Sequence, residues 1–179
     1  MQALLLIDLQ NDYFPGGAME LSASEDAVYN AARVLAYFRA KNLPVFHVRH
    51  LANRPGATFF LPNTPGSYIH QTVAPIYGEM IVEKHYPNSF RDTKLLERLR
   101  AASIDSLTVC GMMTHMCVDT TVRAAFDLGF SVTLVHDACA TRDLAFNGST
   151  VPAAQVQTAF ISALNGLFAK VIDTDSIIG

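Results

Sequence analysis

The chain has 179 residues, enough for one domain with a substantial core and few for two. Half of the residues are hydrophobic, 16% are charged and the formal net charge is −3, a balance that excludes a disordered chain and suits a sheet buried on both faces. No basic block occurs, so neither nucleic acid nor a membrane surface is an expected partner.

Ala3 to Ile7 is a continuous apolar run that predicts the first strand, closing at Asp8; it lacks a basic leader and is too short for a signal or membrane segment. Asp8-Leu9-Gln10-Asn11-Asp12 and then Pro15-Gly16-Gly17 carry loop chemistry. Ser22 and Glu25 have capping-box spacing, and apolar residues recur at three and four, which predicts a helix from Ser24 to Ala40 closed by Asn42. Pro44 to Val48 reads as the second strand. Leu51 to Pro75 carries Pro55, Gly56, Pro62, Pro65 and Gly66 without periodicity, and so long a loop in a compact domain is usually functional.

Met80 to Glu83 predicts a short third strand leading to Lys84, followed by a helix from Lys94 to Ala101 capped by Asp92 or Thr93. Leu107 to Cys110, Val132 to Val135 and Val171 to Ile172 supply three further strands, separated by helices from Cys117 to Leu128 and from Pro152 to Phe168. Asn147-Gly148-Ser149 matches a glycosylation acceptor, without consequence in a chain that shows no secretory feature. Alternating strands and helices predict a single α/β domain over residues 1–179, a three-layer doubly wound sheet of about six mainly parallel strands with helices on both faces. In such sheets the ligand sits beyond the carboxyl ends of the strands, where Asp8, Lys84 and the segment Gly111 to Cys117 all fall. No Gly-x-Gly-x-x-Gly run occurs, so no dinucleotide cofactor is expected.

Three cysteines without secretory features do not make a disulfide framework, which predicts reduced thiols and a cytoplasmic protein. Cys110 lies inside a strand and Cys139 follows another, positions that suit small buried hydrophobes. Cys117 instead stands where a strand ends and a helical pattern begins. Backbone N–H groups there favour a thiolate and can receive an oxyanion, so Cys117 is the candidate nucleophile. Asp8 as proton acceptor and Lys84 as a charge favouring the thiolate complete a hydrolytic set.

Three stretches carry a family resemblance: Leu6-Ile7-Asp8-Leu9-Gln10-Asn11-Asp12-Tyr13-Phe14, then Glu83-Lys84-His85-Tyr86-Pro87-Asn88-Ser89-Phe90, and Gly111 to Arg123 continuing into Asp137-Ala138-Cys139-Ala140. Over nearly the whole chain the sequence resembles the isochorismatase-like cysteine hydrolases, which include nicotinamidases and N-carbamoylsarcosine amidases. The resemblance implies an Asp8, Lys84, Cys117 triad and a cis peptide between Met112 and Met113 that turns the amides of Met113 and Cys117 toward one oxyanion. It also implies hydrolysis of an amide or carbamoyl C–N bond of a small molecule through a thioester, with a homo-oligomeric assembly. Vinyl ether hydrolysis of the isochorismatase type is the alternative, and a non-catalytic binding domain is the alternative of another class.

In place of the metal-binding Asp-x-His of nicotinamidases, this chain reads His47-Val48-Arg49-His50-Leu51. Residues three apart on a strand point to opposite faces, so no catalytic metal and no cofactor are expected. Phe14, Phe59 or Phe60, Tyr86, Phe90 and His115 are the candidate substrate-binding residues, suited to a small, partly apolar ligand.

Overall fold

The computed structural model describes residues 1–179 and contains a six-stranded sheet. Its strands are β1 (Gln2–Ile7), β2 (Val45–His50), β3 (Met80–Lys84), β4 (Ser106–Met112), β5 (Ser131–Ala140) and, after the hairpin β6 (Leu144–Phe146) and β7 (Ser149–Val151), β8 (Lys170–Ile172). The order β3-β2-β1-β4-β5-β8 is parallel throughout. The helices are α1 (Ser24–Ala40), α2 (Leu95–Ala101), α3 (Asp119–Asp127), α4 (Ala153–Leu164) and the short α5 (Asp175–Ile178). α1 packs with α5, and α3 with α4. Because the chain leaves the centre in opposite directions, right-handed crossovers put α1 and α3 on opposite faces. No helix is long and apolar enough to cross a membrane.

Burial explains which strands sit where. Ala3 to Ile7 are all at most 1% exposed, as in a central strand covered on both sides. The edge strand β3 instead alternates, with Val82 and Lys84 buried between the exposed Ile81 and Glu83. That alternation turns a lysine into the protein. β1 and β4 meet where the strand order reverses, the switch point at which doubly wound sheets bind ligands. Gly111 is required there: its φ is +138°, and a Cβ would lie 2.0 Å from the Ile7 carbonyl oxygen across the β1–β4 pair.

All six predicted strands form, and the helix ends reveal local competition. Asn42 takes the left-handed conformation (φ 52°) that stops α1. The Thr93 hydroxyl, rather than Asp92, accepts from Leu95 N–H at 3.3 Å before α2. The capping box at Ser22 does not form: the Ser22 backbone bridges to Thr141, and α1 begins from Ala23 without a side-chain cap. A tertiary strand-like contact has taken the serine from its local role. Asn147-Gly148 forms the tight turn between β6 and β7, with φ of 49° and 77°, so the tripeptide read as a glycosylation acceptor is hairpin-turn chemistry.

Candidate active site

Parallel pairing brings the site together. The register aligns His50 of β2 with Lys84 of β3, and Ile7 of β1 with Val48 and Gly111. Asp8 therefore emerges at the same sheet edge as Lys84, with a left-handed φ of 51° that an aspartate tolerates better than most residues. From β4 the chain passes through the cis Met112–Met113 peptide into a wide helical turn over Thr114–Val118. There the Met113 carbonyl accepts from the N–H groups of both Met116 and Val118. Such turns recur at functional sites because they re-aim a side chain within an otherwise regular helix. This one delivers Cys117 just before α3. The Thr121 hydroxyl then ties α3 to Ser89 and Pro87, anchoring the segment that follows Lys84.

The three residues meet in the folded chain. Lys84 Nζ donates to Asp8 Oδ2 at 2.7 Å, and both side chains are fully buried. The ammonium has two more acceptors, His50 Nδ1 at 3.2 Å and the Tyr86 carbonyl at 3.1 Å. These acceptors hold the ammonium beside Asp8, with Cys117 among the groups that stabilise its charge. A carboxylate oxygen of Asp8, a ring nitrogen of His50 and Cys117 Sγ lie within 4.8 Å of one another. Asp8 Oδ1 is buried without a hydrogen-bond partner, which leaves it free to take a proton.

The electrostatics correct one expectation. Burial, and then the neighbouring Asp8 carboxylate, push the Cys117 thiol well above its ordinary value, and the opposing pull of Lys84 does not compensate. Cys117 rests as a thiol, not as the thiolate that its place near a helix start suggests. For Lys84, burial disfavours the ammonium, but Asp8 and Cys117 outweigh it and raise the group above the ordinary lysine range. Burial lowers His50 to about 4. At neutral pH it is an uncharged acceptor for the Lys84 ammonium.

A cavity of about 290 Å³ opens on Cys117. Phe59, Phe60 and Tyr86 line it, as do His50, Met113 and Met116. Tyr13, Met19, Arg54, His85, Pro87 and Arg142 complete the wall. Three candidate substrate residues do not reach it. Phe14 stacks on His70, with ring centroids 4.0 Å apart, and Phe90 stacks on Phe130. His115, despite lying two residues from Cys117, bonds Thr141 Oγ1 through Nδ1 at 2.6 Å and meets Phe160 edge-on. The helical turn that projects Cys117 inward rotates His115 away.

Sequence reasoning missed His50, weighing it only as a chelating partner of His47. The two histidines do point apart: His47 Nε2 bonds Glu79 at 2.8 Å while His50 faces Lys84. The alternation of β2 was the available signal, since it puts His50 on the same face as the apolar Val48. The role of Gln10 and Asp12 was also unread. Gln10 bonds the carbonyls of His50 and Ser67 and accepts from His50 N–H, while Asp12 accepts from Phe60 N–H at 2.6 Å. These two side chains fasten the long loop over the site and fix Phe60 in the cavity wall.

Comparisons with known proteins agree with this architecture. The isochorismatase domain model matches residues 2–176. An uncharacterized isochorismatase family protein of Bacillus subtilis, YddQ, is 48% identical over 98% of this chain and 98% of its own length. The crystal structure of a putative isochorismatase hydrolase from Oleispira antarctica has 50% identity and a TM-score of 0.94, covering 99% of this chain and 95% of that one. The structure of N-carbamoylsarcosine amidase from Thermoplasma acidophilum superimposes with a TM-score of 0.83 at 25% identity over 99% of both chains. The chain belongs to the isochorismatase family and is a hydrolase of the isochorismatase-like fold.

Proposed function

We propose that the protein hydrolyses a C–N bond, amide or carbamoyl, of a small molecule through a thioester on Cys117. The observation that carries this reading is a thiol in the wall of a cavity sized for a small ligand, with a half-partnered carboxylate and an ammonium buried behind it. Because the thiol is protonated at rest, attack and deprotonation are coupled. As Cys117 Sγ bonds to the substrate carbonyl carbon, its proton passes to Asp8, which Lys84 keeps in place. The carbonyl oxygen gains negative charge facing the amides of Met113 and Cys117, where each donor contributes about 3 kcal/mol to the transition state. Asp8 gives the proton to the leaving nitrogen, the C–N bond breaks, and the acyl group stays on sulfur. Water then attacks the thioester carbon, passing a proton through Asp8 to the departing sulfur and restoring the thiol.

Release of ammonia or amine from a panel of small amides and carbamoyl compounds, followed beside Cys117→Ala, tests the reading. Acid-quenched wild-type protein should carry the acyl mass on the peptide containing Cys117. Turnover in Cys117→Ala equal to wild type, or turnover with no adduct under conditions where acylation outpaces hydrolysis, rejects it in favour of chemistry by proton transfer alone.

A further inference from the structure

Of the groups gathered around Cys117, Asp8 and Lys84 are fully buried, so a ligand in the cavity meets the sulfur and not the ion pair behind it. His50 belongs to both sides. It is half-buried, lines the cavity and bonds the buried ammonium through Nδ1 at 3.2 Å. One ring nitrogen of His50 lies within 4.8 Å of Cys117 Sγ.

The bond to Lys84 fixes the tautomer. An ammonium can only donate, so Nδ1 of the neutral ring accepts and the ring's proton sits on Nε2. Nε2 takes no partner from the chain, which leaves an N–H offered to whatever enters the cavity. The ring's direction is held as firmly. β2 sets His50 opposite Lys84, and one side chain, Gln10, bonds both the backbone N–H and the carbonyl of His50. Phe60 stands beside the ring, with centroids 5.8 Å apart. His85, the other histidine of the wall, is fixed the opposite way: its Nδ1 donates to the Leu51 carbonyl at 2.8 Å, so its neutral ring offers a lone pair at Nε2 and no N–H.

We infer that His50 is a specificity residue whose Nε2–H receives a hydrogen-bond acceptor of the substrate, a carbonyl oxygen or its equivalent carried next to the scissile carbonyl. The closeness of ring and sulfur sets that spacing. A donor held in place before the ligand arrives needs no reorganisation to bind it. The same donor rejects an analogue that lacks the acceptor, because the N–H would then be covered and unpaired. The inference rests on the proposed thiol chemistry for the position of the reacting carbon, and on the tautomer of His50 for what lies beside it.

Alkylation of Cys117 by bromoacetamide and by allyl bromide separates these two supports, since the reagents are close in size and only the first carries a carbonyl oxygen beside the reacting carbon. In each, sulfur bonds to the CH2 carbon, bromide leaves and the thiol proton passes to buffer. Rates are read from the mass of the Cys117 peptide and divided by those of N-acetylcysteine at the same pH. Cys110 and Cys139, both buried, serve as internal controls. Both reagents meet one sulfur, so a change in its nucleophilicity cancels in their ratio. The normalised ratio of bromoacetamide to allyl bromide should exceed one by about tenfold in wild type, the scale of one hydrogen bond made in the transition state. It should fall to near one in His50→Leu and survive in His50→Gln, whose amide can accept from Lys84 and donate to the ligand, with circular dichroism confirming both folds. A wild-type ratio near one, needing no variant, overturns the assignment and leaves the thiol chemistry standing. So does a preference that persists in His50→Leu, or its equal loss in both variants. Failure of both reagents to label Cys117 while they label N-acetylcysteine removes the nucleophile itself, and this inference with it.

Discussion

Two cavities of nearly equal size, about 290 and 300 Å³, each present a cysteine and a histidine with an aspartate at hand. One opens on Cys117 and His50, beside Asp8. The other, beside the start of α1, is lined by Cys139, His136 and Asp137. They differ in how far the aspartates are already satisfied, although Gln157 Oε1 in the second is also buried without a partner. Asp137 Oδ1 accepts from both the backbone and the hydroxyl of Thr174, while the amide of Asn30 donates to Oδ2. Cys139 donates to the Val135 carbonyl of its own strand at 3.3 Å. That aspartate clamps β5 to α1 and to the chain after β8. At the other site Asp8 spends one oxygen on Lys84 and keeps the other, buried, for a proton. Chemistry resides in the incompletely satisfied carboxylate, and cavity size does not distinguish the two.

Paired substitutions probe this contrast, beginning with the thiols. Cys117→Ala should lower turnover at least about 10³-fold, whereas Cys139→Ala should leave kcat/KM within about twofold and cost about 1 kcal/mol of stability. Equal losses of activity would erase the distinction. Next come the carboxylates. Asp8→Asn leaves the buried Lys84 ammonium uncompensated and should cost about 3–5 kcal/mol in urea unfolding as well as activity. Asp137→Asn should cost about 1–3 kcal/mol, through hydrogen bonds alone, and spare the activity of the folded fraction.

Acidification should weaken the catalytic region through His50. Its folded pKa, about 4, lies below the unfolded value near 6.5, so the unfolded chain takes up a proton first as pH falls. Stability is unaffected above about pH 6.5, declines as pH falls through the window between the two values, and has lost about 3 kcal/mol near pH 4. His50→Gln should flatten that decline in urea midpoints measured from pH 7 to pH 4.5; an unchanged slope would assign the loss to His47 and His115, which burial also lowers. The smallest effect belongs to a turn outside both cavities. Gly148→Ala meets open space but must adopt a φ of 77°, and should cost about 1 kcal/mol with no change in turnover.

The fold was legible because apolar runs and helical spacing are local signals. Ala3–Ile7 reads as a strand buried on both faces from its own residues, and Asn42 as a helix stop from its tolerance of left-handed backbone. The hairpin shows a signal present but misread, since Asn147-Gly148 between Leu144–Phe146 and Ser149–Val151 is turn chemistry whatever modification it resembles. Ser22 failed for the opposite reason. Its capping spacing was right locally, and a contact with Thr141, far along the chain, outcompeted it.

Residue types and their places at strand ends were enough to nominate Asp8, Lys84 and Cys117, whereas the order of strands that gathers them came from the fold. The protonation state of the sulfur was not in the sequence, because it depends on how deeply Cys117 is buried and how near Asp8 stands once β1, β3 and β4 are assembled. Nor was the fate of His115, Phe14 and Phe90, whose directions follow from a wide turn and from packing partners distant in the chain. The neutral His50 also emerges only in three dimensions. Local propensity selects an element and its position in the sheet, whereas burial, charge pairing and side-chain direction are properties of neighbours that only the closed fold supplies.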